Sequence, residues 1–186
     1  MANGQETIPT FHTGAIVVDG LKLYFISDAR NQIVHLTFDQ YGHHRARKKI
    51  ASLASDVVFR EDKGMTNNVE QEVNRYVKGG TRQLHLQAGT LLSERATDFQ
   101  KKVWQQIGRV SYGSTRTYGE IARSLGNFRL ARAVGQACHA NPLALLVPCH
   151  RVIGANSLGG FAGGVAIKSR LLALERRFSG AERYDF

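Results

Sequence analysis

Hydrophobic and polar positions alternate along the early part of the chain, and this pattern predicts β-strands. Stretches rich in β-branched and aromatic residues occur at 15–18, 22–27 and 33–38. Asp19-Gly20 lies between the first two stretches and is a hairpin-turn signal. The segment YGHHRARKKI at 41–50 lacks such alternation, and we expect a basic surface loop whose adjacent histidines are solvated.

A helical period replaces the alternation at 67–80, which predicts a helix. Asn67 or Asn68 is a suitable N-cap, and Gly79-Gly80 is a suitable stop. The apolar face of this helix is formed by Val69, Val73, Tyr76 and Val77. The segment that follows, 86–96, is weakly patterned and is interpreted as a connection between two domains.

From Thr97 onward the helical pattern dominates. Thr97 with Gln100, and Thr117 with Glu120, each match the capping box that begins a helix. The second of these helices ends at Gly126, and the first carries an apolar face of Phe99, Val103, Trp104 and Ile107. A third helix is predicted at 129–139.

A last amphipathic helix is predicted at 164–175, through Ile167, Leu171 and Leu174. The change from strands to helices predicts an α/β domain followed by a mainly α domain. The expected boundaries are an N-terminal domain at 1–88, a linker at 89–96, a C-terminal domain at 97–176 and a tail at 177–186.

The chain has a net charge of +10, and most of the excess lies in its second half. Residues 1–89 contain eleven Lys and Arg against nine Asp and Glu, whereas residues 90–186 contain fourteen against six. A basic half fits a polyanionic partner, most simply nucleic acid. A merely basic surface gives the same count, so the charge leaves both interpretations open.

Two cysteines, Cys138 and Cys149, lie far apart and outside any CxxC motif, which favours neither a disulfide framework nor a zinc site. No run is long and apolar enough to span a membrane, and the start lacks a signal-peptide pattern. No phosphate-binding glycine motif follows a strand. We therefore expect a reduced, cytoplasmic protein without metal or cofactor. We also expect a monomer, with cooperative binding along nucleic acid left open.

The short connection LGNFR at 125–129 joins two predicted helices and suggests a helix-turn-helix. Arg129 and Arg132 give the second helix positive charge, and its other residues are mostly small, at Ala131, Ala133, Gly135 and Ala137. Small side chains allow close approach to a DNA groove, and they suit a tightly packed helix pair in the core equally well.

Cys149 is followed directly by His150 in the run LLVPCHRVIG. Pro148 favours extended backbone before it, and the apolar segment 141–149 predicts a buried strand that ends at the thiol. The glycine-rich sequence behind the cysteine allows close backbone approach. A buried cysteine is usually inert, so this pair by itself leaves an inert core thiol and a nucleophile both open.

Seven fragments occur in order along 97–175: TDFQKKVW, SYGSTRTYGEIA, ARAVGQA, NP, PCHRVIG, GGFAGG and KSRLLALE. This ordered set resembles the O6-alkylguanine-DNA alkyltransferases, the methylated-DNA–protein-cysteine methyltransferases. The resemblance covers nearly half of the chain, and PCHR preceded by NP and ARAVG is its most specific part. It implies a ribonuclease-H-like N-terminal domain and a C-terminal helix-turn-helix domain that carries an active-site cysteine loop.

The resemblance implies an irreversible, single-turnover transfer from O6-alkylguanine, and also O4-alkylthymine, in double-stranded DNA. The base would be flipped out from the minor groove, since its alkyl carbon is out of reach in the stack. Cys149 would accept the alkyl group, with His150 taking the thiol proton through a water. Glu175 would orient that histidine, and Asn141 would brace the nearby turn.

The resemblance also assigns the contacts with the nucleic acid. Arg132 would fill the space left by the flipped base, and Tyr118 would crowd the phosphate 3′ to the lesion. Further DNA contacts would come from Ala131, Ala133, Gly135 and Gln136, and the substrate pocket would be formed by Val147, Pro148, Phe161 and Ala162.

Several positions depart from the family pattern. Phe161 replaces a tyrosine that hydrogen-bonds guanine, and the loop 154–160 is one residue short. Phe128 replaces a proline, and Leu130 replaces a small residue at the start of the recognition helix. Two alternatives therefore stay open: a lesion-recognition protein with weak or no transfer, and an unrelated Cys-His hydrolase with multiple turnovers.

Overall fold

A four-stranded sheet forms the first half of the computed structural model, which describes residues 8–54 and 56–180. Its order is β3-β2-β1-β4, with β4 parallel to β1 and the other neighbours antiparallel. The strands are β1 (Thr10–Val18), β2 (Leu21–Ser27), β3 (Ile33–Thr37) and β4 (Val58–Arg60). The three strands predicted from alternation are confirmed.

The turn between β1 and β2 is the one that Asp19-Gly20 predicts. Val18 pairs with Leu21, so these two residues form the whole loop. Their φ angles are 49° and 69°. Positive φ at both central positions defines a turn whose twist matches that of the flanking strands, and Asp-Gly adopts it readily.

The basic segment 41–50 is a helix, and the expectation of a loop was wrong. This helix, α1 (Gln40–Ala51), begins at Asp39, whose side chain accepts a hydrogen bond from the N–H of Tyr41. Its buried residues recur at helical spacing and are His43, Ala46 and Ile50. Only these positions meet the core, so a helix with a narrow apolar face looked like a polar loop. His43 is accordingly buried rather than solvated.

The opposite face of the sheet is covered by α2 (Lys63–Val77). Its predicted apolar face is confirmed, with Val69, Val73, Tyr76 and Val77 all buried. The helix begins earlier than predicted, because the side chain of Asp62 accepts a hydrogen bond from the N–H of Met65. Asn67 and Asn68 therefore lie inside the helix and are exposed.

The second half of the chain is mainly helical, with a two-stranded parallel sheet. Both predicted capping boxes are present, at Thr97 with Gln100 and at Thr117 with Glu120. No helix in the described ranges has the length and apolarity needed to cross a membrane. The elements are α3 (Asp98–Gly108), β5 (Arg116–Thr117), α4 (Tyr118–Ser124), α5 (Ala131–His139), β6 (Val152–Ile153) and α6 (Val165–Ser179).

The helix α6 differs from its prediction in length and in orientation. It runs on to Ser179, three residues past the expected end of the domain at 176, and 181–186 of the predicted tail lie outside the described residues. Its fully buried face is formed by Lys168, Leu171, Leu172 and Glu175, whereas Ile167 and Leu174 are half-buried. Two charged side chains, Lys168 and Glu175, therefore lie on the buried face, and a pattern of apolar residues alone does not identify that face.

The segment that leads to Cys149 is not the predicted strand. It forms one bridge to the outer edge of β3, where the N–H of Leu36 donates to the carbonyl of Pro142 and the N–H of Ala144 donates to the carbonyl of Leu36, both at 2.8 Å. The chain then turns at Leu145, which has a φ of 68°. Pro142 lacks an N–H, so it cannot take part in a regular ladder.

We expect substitutions on the buried face of α1 to destabilise the protein more than substitutions on its exposed face. Ile50→Ala should lower the free energy of unfolding by about 2–4 kcal/mol, because it leaves a cavity against the sheet. Lys49→Ala, one residue earlier on the exposed face, should change it by less than about 0.5 kcal/mol. Urea unfolding of the two variants measures the difference, and equally small effects would contradict the helix.

Candidate active site around Cys149

Cys149 is placed by a tight turn of the backbone. Pro148 has φ −78° and ψ 62°, and the N–H of Cys149 donates to the carbonyl of Val147 at 2.8 Å. These values define an inverse γ-turn, which a proline ring favours because it restricts φ. A short 3₁₀ turn, Cys149–Arg151, follows directly. The thiol is 7% exposed, and it packs in the apolar core of the C-terminal half.

Asn141 joins the two ends of the active-site turn. Its side-chain Nδ2 donates to the carbonyl of Val147 at 2.8 Å and to Sγ of Cys149 at 3.2 Å. Its Oδ1 accepts a hydrogen bond from the N–H of Leu143. The asparagine therefore holds the turn in shape and offers one donor to the sulfur.

A cavity of about 500 Å³ opens onto Cys149. One wall is a face of α5, and the opposite wall is the loop at 160–162. Most of the residues predicted to contact DNA or substrate line it: Tyr118, Ala131, Arg132, Gly135, Gln136, Phe161 and Ala162. The same cavity is also lined by Cys138, His139 and Gly160, which the sequence analysis did not assign to the site.

Three of the residues that were predicted to contact DNA or substrate do not line this cavity. The residues of α5 that line the cavity recur at helical spacing from Arg132 to His139 and so form one face of the helix. Ala133 is not on that face. Val147 and Pro148 are not among the lining residues, and Pro148 borders a separate cavity with Tyr112 and Arg151. The carbonyl of Val147 already accepts two hydrogen bonds, from Asn141 and from the N–H of Cys149.

Phe161 gives the cavity an apolar wall. Its ring lies edge-on to that of His150, with centroids 6.4 Å apart, and tilted against Phe38 at 5.7 Å. Tyr118 contributes the one hydroxyl group among the described residues that line the cavity, and it donates to the carbonyl of Gly160 at 3.4 Å. Burial, with the two nearby cysteines, raises the pKa of Tyr118 to about 12.

His150, the residue after Cys149, forms a fully buried pair with Glu175. Nε2 of His150 lies 2.5 Å from Oε1 of Glu175, and both side chains have no exposure to solvent. An ionised carboxylate can only accept, so Nε2 carries the proton that is shared with it. The other ring nitrogen, Nδ1, is buried and has no hydrogen-bond partner among the described residues.

Further donors converge on the carboxylate of Glu175. Nε of Arg151 donates to both of its oxygens, at 3.1 and 2.9 Å, and the N–H of Gly113 donates to Oε2 at 2.9 Å. The hydroxyl of Tyr76, on α2, donates to Oε1. Gly113 has a φ of 76°, and a Cβ there would lie 2.4 Å from the Cβ of Ser179, so a larger residue does not fit.

These contacts explain the ionisation of the buried pair. Burial alone raises the pKa of Glu175, but the hydrogen bond and charge of His150, the charge of Arg151 and the hydroxyl of Tyr76 together lower it to about 2. Burial lowers the pKa of His150, against the opposing effect of Glu175. The pair at rest is therefore a carboxylate beside a neutral imidazole.

The thiol is held protonated by its surroundings. Burial raises the pKa of Cys149, and the hydrogen bond from Asn141 and the charge of Lys168 oppose this. Lys168 is itself buried, which lowers its pKa, and its Nζ donates to the carbonyls of Val152 at 2.6 Å and Gly160 at 3.2 Å. A cation thus lies close enough to favour a thiolate once the proton leaves.

The sequence analysis missed Tyr76, Gly113, Arg151 and Lys168 as members of the site. Lys168 and Glu175 are seven residues apart on α6, which places both on one helix face, so this spacing was a usable signal. No comparable signal marked Tyr76, because its contact with Glu175 spans 99 positions of the chain.

A cysteine that lines a cavity, that is followed by a buried histidine–carboxylate pair and that shares the cavity with Arg132 fits the class of cysteine nucleophiles that react with a bound partner. Within the described ranges no three metal-ligating side chains gather. The model of the 6-O-methylguanine DNA methyltransferase DNA-binding domain matches residues 98–177.

Individual relatives extend this match. A methylated-DNA–protein-cysteine methyltransferase of Methanosarcina acetivorans is 55% identical over 85 residues, 45% of this chain and 54% of its own length. The chain therefore spans about half the length of that curated relative. The crystal structure of Mycobacterium tuberculosis O6-methylguanine methyltransferase is 31% identical, with a TM-score of 0.74 over 92% of this chain and 96% of the other.

The Mycobacterium tuberculosis protein has also been solved in complex with DNA, and that structure is 30% identical over 91% of this chain and 94% of the other, with a TM-score of 0.69. These likenesses show the family as well as the mixed α/β fold. The chain belongs to the methylated-DNA–protein-cysteine methyltransferases.

We expect the carboxylate of Glu175 to make the fold sensitive to acid. Its folded-state pKa of about 2 lies below the ordinary value of 4.5, so its stabilisation is complete above about pH 5 and is lost as the pH falls towards 2. The loss is on the order of 3 kcal/mol. Urea unfolding at a series of pH values measures it. Glu175→Gln should flatten the pH dependence, and an unchanged slope would contradict this assignment.

Proposed function

We propose that the chain repairs DNA by direct transfer of the alkyl group of O6-alkylguanine, and of O4-alkylthymine, to Cys149. The observation that carries the proposal is the position of that thiol. It lines a cavity together with the residues of α5 that include Arg132, and the next residue, His150, is paired with Glu175. Membership of the family and the DNA-bound relative support DNA as the partner.

The nucleophile is activated by transfer of its proton to His150. Nδ1 of His150 is the free acceptor of the buried pair, and a water between it and Sγ carries the proton across. Glu175 then stabilises the imidazolium, and the donor from Asn141 stabilises the thiolate. Such assistance is needed because burial raises the pKa of the Cys149 thiol.

Transfer is a displacement at the alkyl carbon. The Cys149 sulfur forms a bond to that carbon while the bond from carbon to O6 breaks, and guanine leaves. The thioether that remains has no hydrolytic route at this site, so each molecule acts once. Phe161 has no hydroxyl to donate to O6, and we therefore expect weaker assistance to the leaving guanine than in members with tyrosine there.

The DNA-binding part of the proposal rests on α4 and α5, which we interpret as a helix-turn-helix. Arg132 and Gln136 are exposed on the cavity side of α5 and lie one turn apart. We assign Arg132 to the space that the flipped base vacates and the small Ala131 and Gly135 to close approach of the minor groove. Tyr118 lies at the same wall, where a rotated nucleotide would enter.

The N-terminal half then has a supporting role in this proposal. In its sheet, β1, β2 and β3 are antiparallel neighbours and β4 is parallel to β1. We interpret this half as the ribonuclease-H-like domain of the family. The chain acts as a monomer in the cytoplasm, with no cofactor.

Incubation with an O6-methylguanine duplex should place one methyl group on Cys149. Peptide mass mapping after full reaction measures this, and stoichiometry should saturate at one methyl group per protein molecule. Cys149→Ser should abolish transfer and keep DNA binding, because the serine hydroxyl is a far weaker nucleophile at neutral pH. Cys138→Ser, which alters the other cysteine of the same cavity, should still accept the methyl group.

The same experiment separates the alternatives. A lesion-recognition protein, the alternative that Phe161 favours, would bind the modified duplex tightly and leave both the lesion and Cys149 unchanged. A Cys-His hydrolase would turn over repeatedly.

Arg132→Ala should lower the transfer rate from duplex DNA about ten-fold or more, because nothing then replaces the flipped base in the stack. Transfer from the free base O6-alkylguanine should be unchanged, since a free base needs no flipping. Lys102→Ala removes an equivalent charge from the exposed side of α3 and is the matched control. An equal loss on both substrates would remove the role of Arg132 in flipping.

A further inference from the structure

We propose that Tyr76, a residue of the N-terminal half, is a positioning residue for the proton transfer that activates Cys149. It holds the carboxylate of Glu175 against Nε2 of His150 and so keeps Nδ1 free to accept the thiol proton. This inference rests on the proposed alkyl transfer, and it gives the N-terminal half a direct part in the reaction.

The contacts of Tyr76 converge on one oxygen atom. Its side chain is 1% exposed, and its hydroxyl donates to Oε1 of Glu175. The same hydroxyl lies 3.4 Å from Nε2 of His150. Oε1 is also the atom that lies 2.5 Å from Nε2, so the tyrosine fastens the carboxylate at the point where it meets the imidazole.

The remaining contacts of Glu175 cannot do this alone. Gly113 binds only Oε2, and Nε of Arg151 lies between the two oxygens, at 2.9 Å from Oε2 and 3.1 Å from Oε1. Neither contact is directed at Oε1 alone. The hydroxyl of Tyr76 is the contact directed at Oε1 from the side of α2.

The protonation state of the phenol is suited to this work. Burial and the neighbouring carboxylate both raise the pKa of Tyr76, so the hydroxyl keeps its proton and acts as a donor. With Oε1 occupied by donors, Glu175 does not take up a proton, and the shared proton stays on Nε2. Nδ1 is then the basic nitrogen of the ring, and it has no hydrogen-bond partner among the described residues.

Other charged and titratable groups face the same pair. Arg151 follows the histidine, Lys168 lies on α6 and acts on His150 through its charge, and Tyr112 lies in the turn after α3. Arg151 and Lys168 disfavour the imidazolium, since both are cations. Stabilisation of that imidazolium therefore depends on an accurately placed carboxylate.

Tyr112 supplies a matched control. Its ring meets that of Tyr76 edge-on, with centroids 5.5 Å apart, and its hydroxyl is buried with no hydrogen-bond partner in the part of the chain that the structure describes. Tyr76→Phe and Tyr112→Phe therefore remove the same atom from adjacent rings. Only the first removes a hydrogen bond to Glu175.

The test is the single-turnover rate of methyl transfer from an O6-methylguanine duplex, measured against pH. Tyr76→Phe should lower the rate at neutral pH about ten-fold, the usual effect of losing a hydrogen bond to a charged group. The midpoint of the rising limb of its pH profile, which reports the loss of a proton from His150, should move to lower pH, because the imidazolium is less well stabilised. Tyr112→Phe should keep the wild-type midpoint, and DNA affinity should be the same in all three proteins.

A second readout does not depend on DNA repair. The rate at which iodoacetamide modifies Cys149, followed on its own peptide, should show the same shift of midpoint in Tyr76→Phe. If iodoacetamide modifies Cys149 of the wild-type protein but no methyl group is transferred from DNA, the proposed function fails. The role of Tyr76 is then still supported by the shift of midpoint. Equal midpoints for Tyr76→Phe and Tyr112→Phe in this assay would overturn the inference.

A measurement on the unaltered protein guards against a variant that does not fold. The nitrogen chemical shifts of His150 report its tautomer directly. The inference requires a neutral ring protonated at Nε2, and a ring protonated at Nδ1 would overturn it.

Discussion

A carboxylate with no exposure to solvent is the feature on which the rest of this structure depends. Burying such a charge is unfavourable by several kcal/mol unless donors and an opposite charge replace the lost water. Glu175 obtains these from His150, Arg151, Tyr76 and the backbone of Gly113. Because those donors come from α2, from the turn after α3 and from the segment after the cysteine, one charge aligns elements from both halves of the chain.

The second constraint is the apolar setting of the thiol. Burial raises the pKa of Cys149, which protects it from indiscriminate reaction while no substrate is bound. The same burial means that a proton acceptor must be built into the protein. In the proposed reaction that acceptor is Nδ1 of His150, which has no hydrogen-bond partner among the described residues, and the turn at Pro148 is followed directly by the short 3₁₀ turn that contains both Cys149 and His150.

Sequence patterns predicted much of the architecture because they follow local rules. Alternation located the three long strands, Asp19-Gly20 located the hairpin, and the capping boxes at Thr97 and Thr117 located the starts of two helices. The errors have local causes as well. In α1 the basic residues outnumber the three buried positions, and at α2 an aspartate one turn upstream caps better than either asparagine.

For the site, the sequence by itself predicted, through its resemblance to the family, which residues would carry the chemistry: the cysteine, the histidine, the asparagine and the carboxylate, together with most of the residues that form the face of α5 bordering the cavity. It did so because ordered motifs and helical spacing can be recognised in the linear sequence. Only the tertiary structure decided that Tyr76 and Gly113 donate hydrogen bonds to the buried carboxylate and that Val147 and Pro148 do not line the cavity. Those outcomes depend on contacts between residues distant in sequence, and such contacts are fixed by the packing of whole elements, which no local pattern encodes.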